Sequence, residues 1–258
     1  MLKFYTINAL ALVIFFVLLL TGFFGDVPTW LYLLFVLVWI AITAVGSFQI
    51  RWNYHLQSLN HNYKASGNFV SITFDDGPNL AFTPKVLALL KEHNAKATFF
   101  LIGKNAEKYP EIVRQMIEEG HTIGNHSYSH SNNFGFFSSE KVIAELEKTN
   151  LVLQEITAKE LKLFRPPFGV TNPNIKKALK TTGHFSIGWS KRSLDTTEIS
   201  VEKILNRTTS NLKKGDIILL HDSSAKTLAV LEQLLLFLQS HKLQSVPVDR
   251  LLEIEAYA

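Results

Sequence analysis

Two long stretches without a charged residue constrain this chain before anything else does. Tyr5 to Phe24 is almost wholly apolar after Asn8, and Trp30 to Phe48 forms a second such run. Each is close to the ~20 residues a helix needs to cross a hydrocarbon layer, where every backbone polar group must be satisfied within the segment. Gly25-Asp26-Val27-Pro28 makes a tight polar break between them. Neither run has the polar face of a soluble hairpin. Beyond Lys3 there is no charged leader, and no small-residue cleavage site of a signal peptide follows. Residues 1–50 are therefore expected to form a two-span transmembrane hairpin in contact with membrane lipid, making this a multi-pass membrane protein. Lys3, Arg51 and Lys64 flank the spans while the loop holds only Asp26. That bias favours both ends, and the rest of the chain, in the cytoplasm, but the side of the membrane stays open.

The remaining ~200 residues suit one domain. With no cysteine among 258 residues, disulfides and thiolate metal sites are excluded. The net charge of +4 is dispersed, and Lys176-Lys177 and Lys213-Lys214 read as solvated helix faces. Nucleic-acid binding is not expected, and no obligate protein partner is evident. Residues 51–67 are polar and read as a linker.

From 68 to 258, strands alternate with amphipathic helices. Strands are expected over Phe69–Phe74, Lys96–Ile102, His121–Asn125, Leu161–Arg165, His184–Ser190, Asp216–His221 and Ser245–Leu252. Helices are expected over Thr83–His93, Tyr109–Glu119, Ser138–Thr157 (with Ser139 as cap), Asn172–Thr182, Val201–Leu212 and Lys226–Ser240. This is the pattern of an α/β fold with parallel crossovers. About seven units suggest a small, distorted (β/α) barrel, preceded by the two transmembrane helices.

In such a sheet the carboxyl ends of the strands gather the functional loops. Asp75-Asp76, Asn125-His126, Arg165, Asp195 and His221 all fall at or just after those ends. Asp75-Asp76-Gly77-Pro78 is also good turn chemistry, so turn and site remain alternatives at this point. Alternation along the strand would turn the two carboxylates to opposite sides, one for a cation and one for a proton. His126 and His130, four residues apart, would share one face of a helical turn and could grip a single ion. Two histidines and Asp76 would make a three-ligand metal set with positions open to water and substrate. The same set also binds ferrous iron in oxygenases, although Asp75 and His221 would have no role there.

Four strings then occur in order: Thr73-Phe74-Asp75-Asp76-Gly77-Pro78, His126-x-x-x-His130, Arg165-Pro166-Pro167-Phe168-Gly169 and Leu220-His221-Asp222. Together they resemble the signature set of the NodB-type polysaccharide deacetylases, carbohydrate esterase family 4. The resemblance spans about Asn68 to Leu252 and marks 68–258 as a catalytic domain. It implies hydrolysis of the N-acetyl group of an N-acetylated carbohydrate, with Zn2+ or another divalent cation such as Co2+ on Asp76, His126 and His130. Asp75 would be the general base, held ionised by Arg165. His221 would protonate the leaving amine, kept charged by Asp195, and the Phe168 N–H would steady the oxyanion. Pro167, Phe168, Trp189 and Leu220 would line the substrate site.

One segment departs from the family, which often carries two aspartates and a tryptophan where this chain reads Arg192-Ser193-Leu194-Asp195-Thr196. Asp195 keeps the second aspartate, while Arg192 and Thr196 replace the others. Trp189 or Phe168 would have to wall the acetyl pocket instead. The substrate is expected to be a polysaccharide or oligosaccharide, with an outward-facing domain acting on peptidoglycan or surface polysaccharide. The alternatives are a lipid-linked sugar at the cytoplasmic leaflet, or a non-catalytic carbohydrate-binding role in the membrane.

Overall fold

The computed structural model describes residues 3–258. Two helices come first, α1 (Phe4–Phe24) and α2 (Thr29–Phe48), packed as a hairpin. Both are long and apolar enough to cross a membrane, and nearly all of their side chains face outward. The base of the hairpin is tied to the downstream chain by two backbone bonds. The Phe4 N–H donates to the Tyr54 carbonyl at 3.0 Å, and the Thr171 N–H donates to that of Ser47 at 2.9 Å.

The rest of the chain alternates strands and helices, beginning with β1 (Ser58–Leu59), β2 (Phe69–Asp75), α3 (Thr83–Glu92) and β3 (Ala97–Leu101). Then come α4 (Gly103–Lys108), α5 (Pro110–Glu118), β4 (Thr122–Asn125), α6 (Ser139–Thr157), β5 (Leu163–Phe164) and α7 (Pro173–Thr182). The chain continues through β6 (Phe185–Ile187), β7 (Lys191–Arg192), α8 (Val201–Thr209), β8 (Ile217–His221) and α9 (Ala225–Ser240). It closes with β9 (Gln244–Ser245) and α10 (Val248–Leu252). All strand pairs are parallel, in the order β1-β6-β5-β4-β3-β2-β8-β7, with β9 beside the start of β2. The sheet curls into a half-barrel with helices outside it, the expected architecture.

Burial on both faces explains why the central strands read as nearly unbroken apolar runs. Ile72, Phe74, Phe99, Ile218 and Leu220 point outward into the core beneath the helices. Phe100, Leu163, Ile187, Ile217 and Leu219 point inward with Trp189, Val246 and Leu251. The inward face of β2 is Ser71, Thr73 and Asp75, all buried. Its small polar residues therefore line the barrel interior rather than a solvent face, and they need partners there.

Three local expectations are corrected. The stretch 51–67 is no free linker, because a 3-10 turn at Ile50–Trp52 leads into β1, which adds an edge to the sheet beside β6. The last strand, expected over Ser245–Leu252, stops after Ser245. Pro247 has no N–H for a ladder and stands at the N-cap of α10. The cap of α6 is Ser138, which accepts the Lys141 N–H, rather than Ser139.

Polar burial also fixes the acid limit of the fold. The His121 Nδ1 accepts the Ala97 N–H at 3.2 Å, joining the starts of β3 and β4. Burial, reinforced by the charge of Lys96 and opposed by Glu119, lowers its pKa from 6.5 to about 4. Burial lowers His55 and His184 to about 4 as well. Between those values the unfolded chain binds more protons than the folded one, so acidification favours unfolding. The thermal midpoint of the full chain in detergent should fall as pH drops from 6.5 to about 4. His121→Gln should flatten that slope, and an unchanged slope would refute its part in it.

Candidate active site

Register brings the functional strand ends to one level: Asp75 lies opposite both Phe100 and His221, and Leu101 lies opposite Asn125. Below that level sits Arg165, with no exposed surface. Its Nη1 donates to Thr73 Oγ1 and to Asp75 Oδ1, both at 2.7 Å. Its Nε donates to the Ile187 carbonyl at 3.1 Å and its Nη2 to that of Gly188 at 2.9 Å. The Phe100 ring covers its face at 4.1 Å. Thr73 completes this clamp. Its place two residues before Asp75, on the same strand face, was the signal for it.

Asp76 lies just past the end of β2 and has a left-handed φ of 74°. This turn returns its carboxylate to the cavity that Asp75 faces, so the two acids are not on opposite sides. The His126 Nε2 stands 3.4 Å from Asp76 Oδ1 and 3.8 Å from Asp75 Oδ2. The His130 Nε2 stands 3.2 Å from Asp76 Oδ1.

The two histidines are on a loop, with φ of 63° at Ser127 and 47° at His130, and not on the helical turn their spacing suggested. Glu145 of α6 holds that loop by accepting the N–H groups of Tyr128 and Ser129 at 3.0 and 2.8 Å. Nothing in the sequence marked Glu145 among the other acids of α6.

These donors fit a divalent cation. The His126 Nδ1 is 2.7 Å from the Arg165 carbonyl, which can only accept, so Nδ1 carries the proton and Nε2 offers its lone pair. The Asp76 Oδ1 is buried without a hydrogen-bond partner. One ligand atom from each of Asp76, His126 and His130 lies within 4.8 Å of the others. Such a set of acceptors around an orphaned carboxylate oxygen has the composition of a three-ligand catalytic metal site. Burial and the neighbouring His126 lower the His130 pKa, against the opposing pull of Asp76 and Asp75, which favours the neutral imidazole a ligand needs.

Across the cavity, the His221 Nδ1 is 2.8 Å from Asp195 Oδ1. Asp195 also accepts the His221 N–H at 2.8 Å, the Ser193 hydroxyl at 2.8 Å and the Thr227 hydroxyl at 2.9 Å. Burial works against charge on both groups. Against it, the paired charges with these hydrogen bonds lower the Asp195 pKa, and Asp195 with Asp75 and Asp76 raises that of His221 to about 9. Ser193 and Thr227 were not foreseen from the sequence. Asp222, singled out only as part of its motif, accepts the Thr83 hydroxyl and is pushed up to about 7 by burial.

The cavity of about 230 Å³ is lined by Asp75, Asp76, the three histidines, Phe168, Trp189 and Leu219, with Arg192, Thr196 and Thr197 at one side. Phe168 (φ 59°) sets its ring edge-on to His130 at 4.7 Å. Gly169 follows at φ 69°, where a Cβ would strike the Trp189 indole. Two expected lining residues are elsewhere. Leu220 is in the outer core, because alternation gives the inward place to Leu219. Pro167 is buried and does not line the cavity.

Comparison with known proteins gives the family of the chain. The sequence profile of the polysaccharide deacetylases matches residues 62–186. A peptidoglycan-N-acetylglucosamine deacetylase of Bacillus cereus is 38% identical over 191 residues, covering 71% of this chain and 87% of that protein. The chain belongs to the polysaccharide deacetylase family. A second Bacillus cereus peptidoglycan-N-acetylglucosamine deacetylase is 41% identical over 154 residues, covering 60% of this chain and only 56% of the relative. A solved peptidoglycan N-acetylglucosamine deacetylase superposes with a TM-score of 0.72 at 32% identity, covering 78% of this chain and 94% of that one.

Adding Zn2+ or Co2+ to the chelator-treated full chain should raise its thermal midpoint. A hundredfold excess over Kd corresponds to about 2.7 kcal/mol. His130→Ala should remove most of that gain, and a wild-type midpoint indifferent to metal would refute the site.

Proposed function

We propose that this deacetylase-family member is a divalent-cation-dependent hydrolase removing N-acetyl groups from an N-acetylated amino sugar in a polysaccharide or oligosaccharide. One observation carries the reading: an acid and a base with opposite protonation needs flank a single set of metal-ligating atoms. Asp75 is locked to buried Arg165, and His221 is locked to buried Asp195. The relatives named for deacetylating N-acetylglucosamine in peptidoglycan support the same class of substrate.

Asp76, His126 and His130 would hold the cation, either Zn2+ or another such as Co2+. When bound, it supplies Lewis acidity toward the amide carbonyl and the attacking water. Asp75 Oδ2, the oxygen not bound to Arg165, takes the proton of that water. Arg165 fixes the direction of that carboxylate through Oδ1. The Phe168 N–H, carried by the left-handed turn over the cavity, donates to the developing oxyanion. The His221 Nε2, with Nδ1 committed to Asp195, delivers a proton to the departing amine. Trp189 and Phe168 wall the acetyl pocket in place of the absent tryptophan. A ferrous oxygenase would leave both charge pairs without a task, and a non-catalytic scaffold would have no need of the complete set.

The hairpin of α1 and α2 is read as the anchor in the bilayer, with 68–258 as the catalytic domain. A second substrate, a lipid-linked sugar, is favoured by one feature. A groove of about 550 Å³ leads from Ala44, Ser47 and Phe48 at the end of α2 to Phe168, which also lines the catalytic cavity. Phe136, 90% exposed, stands on its rim.

Asp75→Asn should abolish acetate release from N-acetylglucosamine oligomers while leaving cation binding in place; surviving turnover would remove Asp75 as the base. Phe136→Asp should slow turnover of a polyprenyl-linked N-acetylglucosamine in mixed micelles more than turnover of a soluble oligomer. Equal effects on the two would sink the lipid-linked reading.

A further inference from the structure

The departure at Arg192 adds a charge to the catalytic cavity that no neighbour among the described residues neutralises. Arg192 lines that cavity from β7, where strand pairing with β8 fixes its backbone opposite Leu219. Leu219 lines the same cavity. The Arg192 guanidinium lies 5.7 Å from the centre of the Trp189 ring, over the indole that walls the site. Among the described residues it makes no ion pair, although Glu198 and Glu202 follow within ten residues.

Two further cations stand on the same side. The Arg207 Nε donates to the Arg192 carbonyl at 3.2 Å, and the Lys226 Nζ donates to the carbonyl of Thr197, another cavity residue, at 2.8 Å. Among the described residues neither cation has an anionic partner. The catalytic carboxylates do not fill that need either. Asp75 is bound to Arg165, and Asp76 faces the histidines.

We propose that Arg192 is a specificity-determining residue that binds an anionic substituent, a carboxylate or a phosphate, on the sugar next to the acetyl group or on its neighbour in the chain. The proposal rests on the deacetylase reading for the place of the sugar in the cavity. A guanidinium suits it because its planar donors match carboxylate and phosphate oxygens two at a time. Its place over the Trp189 indole, 5.7 Å from the ring centre, is within cation–π range and leaves those donors free. An aspartate at this position would repel such a substrate, so the exchange converts the rim from repelling anions to selecting them. Thr196, replacing a bulky tryptophan, leaves room for the added group.

The test compares three matched probes: a neutral N-acetylglucosamine oligomer, an oligomer bearing a lactyl carboxylate on one sugar, and one bearing a terminal phosphate. Wild-type kcat/KM should favour one or both anionic probes by about fivefold, the scale of a partly exposed ion pair. The preference should reside in KM and shrink as NaCl approaches about 1 M. Arg192→Gln should bring the anionic-to-neutral ratio close to one, Arg192→Asp should invert it, and Arg192→Lys, which keeps the charge but not the planar fork, should retain only part of it. Because each ratio is taken within one variant, partial misfolding does not change it.

Which anionic probe gains separates a carboxylate-bearing glycan from a phosphate-linked one. The same Kd ratios measured on the Asp75→Asn chain report recognition without turnover. If no probe releases acetate from wild type while the Kd preference persists, the hydrolytic reading fails and anion recognition stands. A wild-type ratio of one, or a ratio indifferent to Arg192→Gln, overturns the proposal.

Discussion

The guanidinium of Arg165, sealed from solvent in the half-barrel, is the point on which the rest of the site depends. A lone buried charge is far too costly to keep, so the fold surrounds it with acceptors. Thr73 and Asp75 come from β2, the Ile187 and Gly188 carbonyls from the end of β6, and a ring face from Phe100 of β3. Three strands are thereby held at fixed separation just below the cavity floor. Loss of either charged partner would strand the other, typically at a cost of about 3–5 kcal/mol. The pair is weak as a source of stability and strong as a device for position.

From that point, orientation is passed on through shared atoms. The Arg165 carbonyl fixes the His126 tautomer, so the residue that orients Asp75, the proposed base, also orients His126, a proposed metal ligand. On the far side Asp195 does the same for His221, using both carboxylate oxygens and two hydroxyls. Each reactive group is therefore held by a buried partner that does not face the substrate. That arrangement puts Asp75 and His221 on strand ends and His126 and His130 on a loop pinned by Glu145, leaving the outer loops to vary around them. Arg192 and Thr196 lie on such a variable rim.

The N-terminal hairpin joins the domain at the same end as the site. α2 finishes beside the loop that follows Phe168, and the Thr171 N–H bonds to the Ser47 carbonyl. Residues 51–67 reinforce this joint by adding β1 to the sheet edge, so hairpin and domain are coupled by backbone pairing rather than by a slack tether.

By itself the sequence determined the class of fold, the two apolar helices and the residue types of the site. Those depend on local periodicity and on motifs of neighbouring residues, and both are written in one dimension. Thr73 could have been read the same way, from its two-residue spacing to Asp75. Tertiary structure alone decided which residues met. Glu145, Ser193 and Thr227 hold the reactive groups, and two of these bonds span 16 and 32 residues of chain. Leu219, two residues before His221, could likewise have been placed on the cavity face by alternation. Hydrophobicity alone could not choose it over Leu220, because both strand faces are buried. The left-handed turn at Asp76 was hidden, since an aspartate tolerates that conformation without announcing it. It is this turn that sets two adjacent carboxylates into one cavity, where long-range contacts with His126, His130 and Arg165 give them different work.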